Sequence, residues 1–119
     1  MALRRLWISG TGRVRSDLHP SEHPTNLDVA WAAGIYEGEG SVHASTIGQN
    51  SVSVAQKERW LCDRLRLLFG GSVHSYIYDG RTYYRWGVSG ALARGFLMTI
   101  YCFLSPHRRT QIRFALRRS

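Results

Sequence analysis

Two carboxylates, Glu37 and Glu39, close an apolar run that begins at Ala30 and ends in Glu37-Gly38-Glu39-Gly40. Glycine weakens a helix, so the helix formed by this run must stop there. A carboxylate at a helix C-terminus is disfavoured by the macrodipole, and a divalent cation is the obvious counterweight. Carbonyl groups freed at the same helix end can add oxygen ligands. Upstream, Ala30, Gly34 and Gly38 recur at i, i+4, i+8 and form, with Ala33, a stripe almost without side chains. Such a stripe lets another backbone approach closely, with dispersion supplying the energy. The chain's own sheet can fill it, or the same helix of a second copy across a two-fold axis. No second helix of this kind occurs in the chain, which favours the second copy. The seam then runs over Ala30, Ala33, Gly34, Glu37 and Gly38 and brings two copies of Glu39 together. Paired carboxylates repel unless a hard cation lies between or beside them. Mg²⁺ (or Mn²⁺) held there would polarise a phosphate and activate water, the chemistry of metal-dependent nucleases.

The rest of the composition also points to a polyanion. The 119 residues carry a net charge of +8, with a pI near 10.3. The positive charge is almost all arginine, Lys57 being the only lysine. Arginine suits bidentate contacts to phosphate and guanine, so nucleic acid stands ahead of a membrane surface as a partner. An arginine-rich solvated surface is the plain alternative. Cys62 and Cys102 lie far apart with no CxxC and no histidine pair, which argues against zinc. Both fall in helix-like runs and read as buried free thiols, which fits a reducing, intracellular setting. No apolar run is long enough to span a bilayer, and the opening MALRRLWISG is too short in apolar residues for a signal peptide.

The elements that must position these groups follow from spacing. Residues 1–26 lack periodicity and read as a basic, partly disordered arm, either touching DNA or dispensable; one domain follows, 27–119. Asn26 or Asp28 caps a helix running to about Gly38. Two alternating runs, Ser41–Ile47 and Ser51–Gln56, flank a turn at Gly48-Gln49-Asn50. A second helix places Leu61, Leu65 and Leu68 on one side and stops at Gly70-Gly71. The next hairpin, SVHSYIY and RTYYRWGVS, turns at Asp79-Gly80, with Val73 and Ile77 on one face and His74, Tyr76 and Tyr78 on the other. The run ALARGFLMTIYCFL is apolar on most sides and is expected to be well buried. Ser105-Pro106 then starts a last helix with a basic face. The fold class is α+β, an antiparallel sheet with helices on one face. Its open face carries Ser41, His43, Ser45, Ser51, Ser53, His74, Tyr76, Arg81, Tyr83 and Arg85. That set suits base edges in a major groove, with Arg85 the best guanine contact. Arg59, Arg113 and Arg117 are candidates for phosphate contacts.

The segment WAAGIYEGEGSV resembles the dodecapeptide motif of the LAGLIDADG homing endonucleases, with Ala32 to Gly40 matching its nine positions. QKERW (Gln56 to Trp60), FGGSV (Phe69 to Val73) and FLSPHRR (Phe103 to Arg109) also resemble family segments, so the likeness runs from about Leu27 to Leu116. The resemblance implies an αββαββα unit with a C-terminal helix, a saddle-shaped sheet gripping double-stranded DNA, and pairing through the motif helices. One motif per chain implies a homodimer acting on a roughly palindromic target with Mg²⁺ and cutting both strands across the minor groove. A non-cleaving DNA- or RNA-binding relative, such as a maturase or regulator, is the alternative it allows. By the same resemblance Glu39 is the metal-binding acid, where the family mostly has aspartate. The Gly38 carbonyl is a second ligand, and Glu37 has a capping role. Gln56 positions solvent. The family's basic residue near the last helix, usually lysine, falls to His107, with Arg108 and Arg109 next.

Overall fold

In the computed structural model, residues 24–45 and 49–117 are described; the arm expected over 1–26 therefore lies mostly outside them. The elements run α1 (Asn26–Glu39), β1 (Gly40–Ala44), β2 (Asn50–Gln56), α2 (Arg59–Phe69), β3 (Ser72–Tyr78), β4 (Arg81–Ser89), α3 (Gly90–Ile100), a 3₁₀ turn (Tyr101–Phe103) and α4 (Pro106–Arg117). The four strands form one antiparallel sheet in the order β1-β2-β4-β3, so the two hairpins join through β2 and β4.

Order begins before the expected boundary. Thr25 caps α1 in a capping box: its hydroxyl accepts from the Asp28 amide at 3.1 Å, and the Asp28 carboxylate accepts from the Thr25 amide at 2.9 Å. The expected caps, Asn26 and Asp28, are inside the helix. Asp28 serves as the acidic half of the box, three residues beyond the cap.

Alternation sorts each strand into two faces. Val52, Val54, Trp86 and Val88 point into the core and meet Tyr36 of α1, Leu65 of α2, Phe96 and Leu97 of α3, and Ile112 of α4. Each large apolar side chain buried there stabilises the fold by about 1.5–3 kcal/mol. Phe96 is the hub, with the Tyr36, Phe69 and Trp86 rings edge-on to it at 6.2, 5.0 and 5.0 Å. The Trp86 indole nitrogen donates to the Gly70 carbonyl at 2.8 Å, tying the end of α2 to β4. The β3–β4 turn has positive φ at both Asp79 (53°) and Gly80 (74°). This is the primed geometry that suits a twisted hairpin and that Asp-Gly tolerates.

Three expectations need correction. Ala33, on the flank of the open stripe, is buried against the protomer's own core. α3 is not covered all round: Leu92 and Met98 are exposed, and the helical phase ends at Ile100, so Cys102 in the following 3₁₀ turn is exposed while Cys62 is buried. Ile77 shares the helix side of β3 with Val73, as its spacing predicts, and is 76% exposed near the hairpin tip. β1 ends at Ala44, so Ser45 leaves the open face. Its amide donates to the Gln49 carbonyl at 3.0 Å, and its hydroxyl accepts from the Gln49 amide at 3.1 Å, closing the turn. Residues 46–48, expected to be strand and turn, lie outside the described residues, and Asn50 is already strand, paired with Ala44.

Candidate active site and nucleic-acid interface

α1 passes into β1 without a loop: Glu39 is the last helical residue and Gly40 the first of the strand. Two residues of helix rotate a side chain by roughly 200°, so Glu37 and Glu39 face opposite ways. Glu37 turns toward α4. Its carboxylate accepts from the Ser105 amide at 2.8 Å and from the Ser105 hydroxyl at 2.7 Å. Those donors hold its carboxyl below the ordinary carboxylate range, the amide first and the hydroxyl second. Glu39 turns outward and is exposed.

The return contact comes from Arg108. Its Nε donates to the Glu37 carbonyl at 3.2 Å and one terminal nitrogen to the Gly40 carbonyl at 2.9 Å, while the guanidinium lies 5.3 Å from the Tyr36 ring centre. The two helix ends thus exchange charge. A carboxylate meets the N-terminus of α4 and a guanidinium meets the C-terminus of α1, each where the macrodipole favours it. Much of the electrostatic cost that the sequence assigned to a cation is offset by this exchange. Arg108 therefore brackets Glu39, holding the carbonyls on either side of it with two of its nitrogens, one of which also reaches the Gln111 side chain at 3.2 Å. Gly40 is required for a separate reason: a Cβ there would overlap the Tyr36 ring.

His107 is exposed in the first turn of α4, with its Nε2 3.3 Å from the Gln111 amide nitrogen. Gln56 ends β2 two residues past Val54, the partner of Gly40, so it lies at the same end of the sheet as Glu39; alternation places it on the helix face. The stripe of Ala30, Gly34 and Gly38 is exposed, and a side chain added at Gly34 or Gly38 would meet nothing within 4 Å. Among the proposed seam residues, Ala33 is buried, and the Glu37 carboxylate is turned away to Ser105.

The open sheet face gathers the other expected residues. Ser41 lies opposite Ser53, with their hydroxyls 3.1 Å apart, and His43 lies opposite Ser51. Farther out, Arg85 pairs with His74, Tyr83 with Tyr76 and Arg81 with Tyr78. These large side chains form a column. The Arg85 guanidinium sits 5.0 Å from the Tyr76 ring centre, Tyr76 stacks on Tyr83 at 5.7 Å, and Tyr78 meets Tyr83 edge-on at 6.3 Å. The rings cover parts of one another's faces, and the column's polar groups are phenol hydroxyls and a guanidinium, donors and acceptors of the kind that complement base edges. Arg59 is elsewhere, on α2, paired with Asp63 at 3.2 Å. Arg113 on α4 bonds the Tyr101 and Thr110 hydroxyls. Sequence reasoning passed over Ser105, Gln111 and Tyr36. The i+3 and i+4 spacing of Gln111 from Arg108 and His107 was the available signal for it.

The fold is similar to that of the LAGLIDADG half-domain seen in solved homing endonucleases. Its solved neighbours include I-CvuI in complex with its target in the presence of Ca (TM-score 0.61, 20% identity, 76% of this chain and 64% of that one). They also include the archaeal intron-encoded I-Vdi141I complexed with DNA (0.56, 18%, 75% and 65%) and I-TnaI (0.56, 20%, 78% and 71%). The chain spans just under two thirds of the length of I-CvuI. No family model matches the chain, and no curated protein does either. At these identities the likeness establishes the fold.

Proposed function

We propose that this chain is one protomer of a homodimeric, site-specific double-strand DNA endonuclease that uses Mg²⁺ or Mn²⁺ and recognises a roughly palindromic target. One observation carries the reading. Glu39 stands exposed at the end of an open small-residue stripe, on the junction that leads directly into a polar, arginine-bearing sheet face. A helix that buries Val29, Ala32, Ala33 and Tyr36 on one side and leaves a bare Ala-Gly-Gly stripe on the other fits a second copy of itself. The fold neighbours I-CvuI and I-Vdi141I were solved on DNA, and I-CvuI with Ca and with Mg.

The donor chemistry fits the cation. Among the described residues no cluster of three or more His, Cys, Asp or Glu side chains is present. Pairing supplies a second Glu39, and the Gly38 carbonyl and DNA phosphate oxygens complete an all-oxygen set suited to a hard ion. When bound, the ion supplies Lewis acidity toward the phosphate. The chain's own residues do the rest. Arg108 fixes the backbone around Glu39. His107 borders the site. Gln56, at the strand end, positions solvent. The serines, Tyr76, Tyr83 and Arg85 read the major groove, and Arg81 adds charge at the rim.

A second reading is a binding module that does not cut. The engagement of Arg108 on backbone carbonyls favours it, because that leaves His107 where a basic residue is expected. Cleavage selection on a randomised palindromic library with Mg²⁺ separates the two readings. Recovered double-strand cuts at one palindromic consensus support the endonuclease. Enrichment by binding with no nicks supports the module. Recovery of no sequence by either route overturns both.

A further inference from the structure

Gln111 sits between two groups of α4 that make opposite demands on it. Its amide oxygen is 3.2 Å from a terminal nitrogen of Arg108, and its amide nitrogen is 3.3 Å from His107 Nε2. A guanidinium only donates, so the oxygen of Gln111 must face Arg108. The opposite rotamer of the amide would set donor against donor. The NH₂ group is thereby turned toward His107 and donates, and Nε2 must accept. A ring nitrogen that accepts carries no proton. Arg108 itself donates to the Glu37 and Gly40 carbonyls, so its guanidinium is held against the junction of α1 and β1.

We propose that Gln111 is a positioning residue that selects, in neutral His107, the tautomer with its proton on Nδ1. The ring then offers a single N–H donor, with its other nitrogen occupied. The importance of this for cleavage rests on the function proposed above; the tautomer itself does not. The charged groups around the ring are of both signs. Arg108 and Arg109 are its neighbours on α4, at the N-terminus of that helix. His43 lies on β1, across a groove lined also by Arg108 and Gln111. The Glu37 carboxylate on α1, which accepts from both Ser105 donors, opposes them. Protonation of Nε2 breaks the Gln111 contact and sets a cation facing an NH₂ group, so it requires the ring or the amide to turn.

The test is ¹⁵N-resolved NMR of the histidine rings in the full chain, with His107 assigned by its loss in His107→Asn. Above neutral pH the expected result is a protonated Nδ1 and a bare Nε2. In Gln111→Leu the ring should revert to the ordinary preference of imidazole, with the proton on Nε2. In Gln111→Glu the carboxylate accepts from Nε2–H while still pairing with Arg108, so above neutral pH the proton should move to Nε2. Gln111 and His107 are both exposed, so none of these variants disturbs the core. A wild-type ring protonated on Nε2, or a tautomer unchanged in both Gln111→Leu and Gln111→Glu, overturns the proposal. These readouts need no DNA, so they stand whether or not the protein cuts.

Discussion

The carboxylate of Glu37 holds both the backbone amide and the hydroxyl of Ser105, 68 residues further along the chain. It is the contact by which α1 starts α4, and its strength depends on ionisation. Glu37 is held low by Ser105, as Asp28 is by the Thr25 amide. A carboxyl whose folded pKa lies below its unfolded value contributes stability above the unfolded pKa and loses it as pH falls through the folded one. The window therefore opens below about pH 4.5. Glu37→Gln should melt below the wild type at pH 7, and the gap should close as the pH is lowered through that window. Circular dichroism melts across the series would show it; a gap independent of pH would mean that the charge plays no part.

Glu39 and Glu37 differ in what they face, and exchange of each for the isosteric amide should separate them. Glu39→Gln is expected to lose cleavage by 10³-fold or more, with the melting temperature and the salt-dependent affinity for duplex almost unchanged. Glu37→Gln should change stability first. Cutting by Glu39→Gln at the wild-type rate would remove Glu39 from the chemistry.

Gly34 is exposed, with open space around it. Replacing a mid-helix glycine with a side chain stabilises an isolated helix by about 0.5–1 kcal/mol. Gly34→Leu is therefore expected to leave the protomer folded, or slightly more stable, while abolishing self-association. Sedimentation equilibrium reads the second effect and chemical denaturation the first. A Gly34→Leu protein that remains dimeric would place the interface elsewhere.

Arg85 lies over Tyr76, which covers one face of the guanidinium and leaves its edge free. Arg85→Ala should relax base preference at one position per half-site by about 1–3 kcal/mol. Tyr76→Leu should weaken the same preference by letting the arginine move, whereas Tyr76→Phe should retain it. Binding selections on the same library compare the three, and an identical consensus in all of them would exclude the column from readout.

The helix-to-strand junction and the polar sheet face were legible in the sequence because both rest on short, rigid spacings. Two residues of strand return a side chain to the same face, which is why Ser41, His43, Ser51, Ser53, His74, Tyr76, Arg81, Tyr83 and Arg85 emerge together. Ala33 was misread because alanine fits a core and a bare seam equally well. Only the helical phase, set by the Thr25 cap, decides between them. Cys102 was misread because the helical phase breaks at Ile100, where nothing in the apolar run marks a stop. Arg108 and His107 were inseparable until the start of α4 was known. With Ser105 accepting from the Arg108 amide, Arg108 turns inward onto α1 while His107 stays outside. The bond from Asn50 to the Ala115 carbonyl, which ties β2 to the far end of α4, had no signature in spacing at all.

The missing loop between Glu39 and Gly40 has a mechanical consequence. A connector with slack would let a neighbouring copy tilt the first helix without disturbing the sheet. Here a change in crossing angle is passed to the edge strand as a rigid lever, with the Tyr36 ring wedged against Gly40 as its fulcrum. In the homodimer proposed above, Ser41 and His43 would swing with it, and the same joint would tune both the half-site spacing and the separation of the two Glu39 carboxylates.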